Sequence, residues 1–141
     1  MLRITGIDIE GKHKTYAIVD EICWNKITHQ EGTQWYSSNN DGIQVSQMRY
    51  DKGKVFKAHH HKTYPKTAYL TQECMVCIKG KIKFILWDDR KELLYENILY
   101  PGQVLIIYGG WHEFKILEDE TLIIETKNGP YTSVETDKEY M

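Results

Sequence analysis

Gly53-Lys-Val-Phe-Lys-Ala-His59-His60-His61 is the stretch that decides the fold, followed after residues 62–72 by Glu73-Cys-Met-Val-Cys-Ile-Lys-Gly80. Side chains alternate along a β-strand, so His59 and His61 share one face and His60 takes the other. On that reading the two imidazoles point into one cavity. Glu73 adds a carboxylate from the next segment, and His112 adds a further imidazole from much later in the chain. Imidazoles and a carboxylate together suit a divalent first-row transition metal with positions left open for chemistry. Zinc fits a structural or Lewis-acid role, whereas redox work needs iron, manganese or nickel.

Outward from this stretch the chain is a succession of short strands and turns. Upstream, Thr15–Val19 and Ile43–Tyr50 have strand character, and Asn39-Asn40-Asp41-Gly42 is a turn signal between them. Downstream, the sequence predicts strands over Glu73–Ile78, Ile82–Trp87, Glu92–Ile98, Val104–Tyr108, Trp111–Leu117 and Thr121–Lys127. Glycine- or acid-rich turns separate them, and no stretch carries a helical stripe. Residues 62–72 hold Pro65 and no strong period, and are expected to form a loop at the mouth of the site. The expected organisation is an N-terminal arm with its own strand over 1–42, rich in Trp24, Trp35 and Tyr36, a β-domain over 43–131, and a polar tail over 132–141.

Composition narrows the possible roles. The chain has 141 residues, enough for one domain with a sizeable core and no need of disulfides. Its formal net charge of -2 gives no general affinity for polyanions, so no nucleic-acid partner is expected. No apolar run is long enough to span a membrane, and Met1-Leu-Arg-Ile-Thr-Gly-Ile-Asp8 is too polar for a signal peptide, so the expected location is cytoplasmic. Cys23, Cys74 and Cys77 do not form a disulfide framework. The Cys74-x-x-Cys77 spacing puts the two thiols on opposite faces of a strand, which argues against a zinc or redox motif.

The histidine stretch resembles the first motif of the cupin superfamily, G-x5-H-x-H-x3–4-E-x6-G. Gly53, His59 and His61 fall at the family spacing, and Glu73 and Gly80 match its second half, with residues 62–72 as a longer insert. Pro101-Gly102, Gly110 and His112 resemble a degraded second motif, with Tyr108 where proline is usual, His112 one residue early and the final asparagine missing. The resemblance implies an all-β double-stranded β-helix, a jelly-roll barrel, preceded by an N-terminal arm. It implies a homodimer and is nearest to small single-domain cupins of the sugar isomerase and epimerase type.

The activity implied is proton abstraction next to a carbonyl of a small polar substrate such as a sugar or nucleotide-sugar. His59 or His112 would act as base, or metal-bound hydroxide in their place, with Tyr108 as a catalytic acid. His59, His61, Glu73 and His112 would hold the metal. Arg49, Tyr64, Tyr69, Glu125 and Lys127 would contact substrate. Two other readings stay open: a metal-dependent dioxygenase, and a non-catalytic cupin that binds a carbohydrate or other small ligand.

Overall fold

The computed structural model describes residues 1–21, 31–63, 65, 67–130 and 132–141. Ten strands carry it: β1 (Leu2–Ile7), β2 (His13–Glu21), β3 (Gly32–Trp35), β4 (Ser46–Arg49), β5 (Glu73–Lys79), β6 (Ile82–Trp87), β7 (Leu93–Leu99), β8 (Gln103–Ile107), β9 (Trp111–Ile116) and β10 (Leu122–Lys127). A single helical turn, α1 (Val134–Asp137), follows.

The strands assort into three separate sheets, ordered β1-β2-β8-β5-β10, β7-β6-β9 and β3-β4, and every described pairing is antiparallel. Alternation explains why two layers pack. On β6, Ile82, Phe84 and Leu86 are buried while the residues between them are half-exposed, so one face of the small sheet is apolar. That face meets Ile4, Ala17, Cys77, Leu105 and Ile107 from the five-stranded sheet, with Leu99 closing the cluster.

β8 is buried on both sides. Its other face, with Ile18, Cys74 and Tyr108, is covered by Tyr36, Ile43 and Val45 around the β3-β4 hairpin. Cys74 and Cys77 therefore lie in different cores, as their spacing requires. The β6–β7 turn is tied by Asp88, only 2% exposed, whose Oδ1 accepts from the backbone N–H groups of Arg90 and Glu92 at 2.8 and 2.9 Å.

The expected closed jelly-roll barrel does not form. Among the described residues no ladder joins the five-stranded sheet to the β7-β6-β9 sheet, so both remain open. A single closed wall would require such a ladder. The cupin resemblance, which rested on two short motifs, thus fails at the level of architecture. In the N-terminal region β1 and β2 are built into the five-stranded sheet through the β2–β8 ladder.

The histidine stretch is not a strand. Residues 50–63 are irregular, and His59, His60 and His61 are all exposed. The physical reason is legible afterwards: Lys57, His59, His60, His61 and Lys62 give a pairing strand no apolar face to bury. Val55 and Phe56 just before them are exposed as well. No helix among the described residues is long and apolar enough to cross a membrane.

Candidate functional site

A cleft of about 600 Å³ opens at one end of the gap between the two main sheets. Glu73, the first residue of β5, faces the same side of its sheet as Cys77 and projects into the cleft. Glu125 enters from β10, and Trp111, His112 and Phe114 enter from β9. The Gly109-Gly110 bend between β8 and β9 brings this last group over the larger sheet. Tyr69 forms part of one rim, and the C-terminal segment from Thr136 to Tyr140 forms another.

That segment is held in place by polar contacts. Lys127 Nζ lies 3.2 Å from Asp137 Oδ2, and the Thr71 hydroxyl donates to Asp137 Oδ1 at 3.3 Å. Ser133 caps α1, with its side chain accepting from the Thr136 backbone N–H while its own N–H donates to the Thr136 hydroxyl.

At the centre, His112 Nε2 approaches Glu73 Oε2 at 3.3 Å. The Glu73 side chain is 7% exposed and the His112 side chain 31%. The approach is off the line of a straight hydrogen bond and is an ion pair only when His112 is protonated, and Oε2 is a buried oxygen with no well-aligned hydrogen-bond partner among the described residues. The His112 ring nevertheless holds the Glu73 carboxyl below its usual range, against the upward push of burial, with Lys127 and Lys138 contributing in the same direction.

The cleft is acidic. Glu73, Asp89, Glu125, Asp137 and Glu139 line it, against Lys138 as the one lining lysine among the described residues. Lys14 reaches Asp89 at 3.3 Å and Lys127 reaches Asp137, which leaves the lining negative. Its walls are aromatic: Trp111, Phe114, Tyr69 and Tyr140. Trp111 already carries a cation on its ring, with Lys91 Nζ 4.4 Å from the centroid.

The expected metal centre is not assembled. The four expected ligands separate into two pairs: Glu73 with His112 in the cleft, and His59 with His61 on the irregular segment, their rings 5.4 Å apart. Among the described residues no three His, Cys, Asp or Glu side chains are grouped so as to hold a metal ion.

The other expected site residues scatter. Glu125 lines the cleft and Tyr69 stands at its rim, 93% exposed. Lys127 is paired in register with Glu73. Tyr108 is buried on the opposite face of the five-stranded sheet, and Arg49 is exposed and paired with Asp51 at 3.3 Å. Tyr64 lies outside the described residues.

Sequence reasoning missed Trp111, Phe114, Asp89 and the C-terminal segment as parts of the site. For the segment a local signal existed, the Ser133-to-Thr136 cap; what it packs against is long-range and has no local signature. No family model matches the chain, and no curated protein or solved structure does either.

The expected isomerase or epimerase activity and the dioxygenase reading rested on a closed cupin barrel and its metal-binding or histidine cluster, and the carbohydrate-binding cupin reading on the barrel alone. Neither barrel nor cluster is found among the described residues, so these readings fall together. With them goes the basis for regarding the chain as a cupin-type enzyme.

Proposed function

We propose that the chain is a binding domain for a small organic cation, a molecule with an amine, amidine or guanidine group joined to a flat apolar body. The observation that carries this reading is the buried Glu73 Oε2, which lines the cleft and, beside the off-line approach of His112 Nε2 at 3.3 Å, has no well-aligned hydrogen-bond partner among the described residues. A buried carboxylate oxygen without a donor costs about 1–3 kcal/mol. A cationic N–H group entering the cleft would supply that donor through a charge-assisted bond. The acidic lining favours the charge, and the rings of Trp111 and Phe114 suit a flat apolar body. A cleft of about 600 Å³ lies within the range used for small molecules.

Benzamidine combines an amidinium with an aromatic ring and is the probe to use. Titrated into the whole ¹⁵N-labelled chain, it should shift the backbone amides of Glu73, Trp111 and Glu125 saturably. Glu73→Gln should weaken binding about 30-fold, the equivalent of roughly 2 kcal/mol for one hydrogen bond to a charged group. Absence of a saturable shift, or equal binding by Glu73→Gln, overturns the reading.

Two readings of the sequence are carried with it as proposals: a cytoplasmic location and a homodimer. A single-chain mass in sedimentation equilibrium would sink the second, and recovery of the native protein outside the cytoplasm would sink the first.

A further inference from the structure

A second cavity, of about 580 Å³, lies on the opposite face of the five-stranded sheet, beside the β3-β4 hairpin. Tyr108 stands at its base. This residue is 6% exposed, and its hydroxyl is buried with no hydrogen-bond partner among the described residues. An unpaired buried hydroxyl is uncommon in a folded protein and calls for a cause.

The groups around it are donors. Arg3 pairs in register with Ile18, which puts it on the same face as Tyr108, and its guanidinium makes only a long bond to Thr15 Oγ1, 3.4 Å, among the described residues. Lys14 lines the cavity as well, sharing its ammonium with Asp89. Gln72 uses its side-chain oxygen to accept from the Ile43 N–H at 2.8 Å, which fixes the amide orientation and leaves its NH₂ as a donor. Asp41 is the one lining carboxylate among the described residues, and its Oδ2 already accepts from the Ser38 N–H at 2.6 Å. Trp35, 59% exposed, offers a flat wall.

Burial, chiefly, with a smaller contribution from Asp41 and against the pull of Arg3, pushes the Tyr108 phenol up to about 12. The hydroxyl therefore stays a donor across the physiological range.

We propose that this cavity binds a small organic carboxylate, with Tyr108, Arg3 and Gln72 donating to the carboxylate and Trp35 stacking on an attached ring. The shared requirement of these groups is an anionic acceptor, and the guanidinium fork suits a planar carboxylate. The carboxylate donors Tyr108, Arg3 and Gln72 do not line the cation cleft, although Leu70 lines both cavities and Lys14 pairs with Asp89 of the cleft.

Sodium benzoate is the probe, titrated into the full ¹⁵N-labelled chain with inorganic phosphate as comparison. The expected result is a saturable benzoate shift at the Tyr108, Ser38 and Gln72 amides. Tyr108→Phe and Arg3→Gln should each weaken binding about tenfold, the loss expected for one hydrogen bond. Tyr108→Phe removes only an unpaired hydroxyl and should keep a native spectrum; Arg3→Gln alters an exposed side chain and provides an independent reading. Glu73→Gln should leave benzoate binding unchanged. No saturable shift, binding that is indifferent to both Tyr108→Phe and Arg3→Gln, or a response to phosphate but none to benzoate overturns the assignment.

Discussion

Glu73 on β5 and His112 on β9 meet across the gap between the two main sheets, Oε2 to Nε2 at 3.3 Å. The carboxylate is inside and the imidazole is at the edge, so losing one partner is not equivalent to losing the other. His112→Ala leaves a buried carboxylate without the imidazole beside it, whereas Glu73→Gln removes the buried charge itself. His112→Ala should therefore cost about 1–3 kcal/mol in urea unfolding and Glu73→Gln distinctly less. The two changes should be non-additive, the double variant being no less stable than His112→Ala alone. A greater loss in Glu73→Gln than in His112→Ala would show that the pair is not organised around the buried charge.

The same pair sets an acid limit. The Glu73 carboxyl titrates below its ordinary value in the folded chain, through His112 first, with Lys127 and Lys138 assisting from β10 and the C-terminal segment. A depressed native value means that the unfolded chain binds the proton more readily. The stabilisation is complete above the ordinary glutamate value of about 4.3 and is lost as pH falls below it through the native value. Urea midpoints measured from neutral pH downward should drop in this window for the wild-type chain and less steeply for Glu73→Gln. Parallel curves would contradict the assignment of the acid limb to Glu73.

These two residues also show how much the sequence could reveal. Glu73 and His112 were visible as polar residues next to apolar strands, and the strands themselves announced their extent through alternation, as in Ile82-Lys-Phe-Ile-Leu-Trp87. What alternation cannot carry is the partner of each strand. β10 pairs with β5, and β9 with β6, across long sequence separations, and these choices decide whether a barrel closes. Motif spacing misled at His59 and His61 because a spacing presupposes a strand. Residues 57–62 lack the apolar face that would make one. Tyr108 was legible as a polar ring, but its face followed only from the pairing of β8 with β2 and β5.

Gly110 is where the backbone permits the cleft to form. Its φ of +82° belongs to the left-handed region, and a Cβ there would collide with the Trp87 carbonyl oxygen and with the Tyr16 ring. Both obstacles are fixed: Trp87 ends β6, and Tyr16 is 1% exposed with its hydroxyl donating to Asp89 Oδ2 at 3.2 Å. Gly110→Ala should therefore destabilise the fold by about 2–4 kcal/mol, combining backbone strain with overpacking. The change should appear as a lowered thermal midpoint together with altered Trp111 and His112 resonances. A midpoint equal to that of the wild type would mean that the bend relaxes without cost.

The exposed histidines offer the opposite expectation. His59, His60 and His61 lie on an irregular segment, and the clearest polar contact there is His59 Nδ1 with the Lys57 carbonyl oxygen at 2.9 Å. Surface groups of this kind change stability by about 0.5 kcal/mol or less when removed. The double variant His59→Ala/His61→Ala should unfold at the wild-type urea concentration and bind benzamidine as the wild-type chain does, because neither imidazole lines the cleft around Glu73. His112→Ala, made alongside, should alter both properties. If instead the His59/His61 variant loses benzamidine binding while His112→Ala keeps it, the irregular segment closes over the ligand and the site belongs to it rather than to the gap between the sheets.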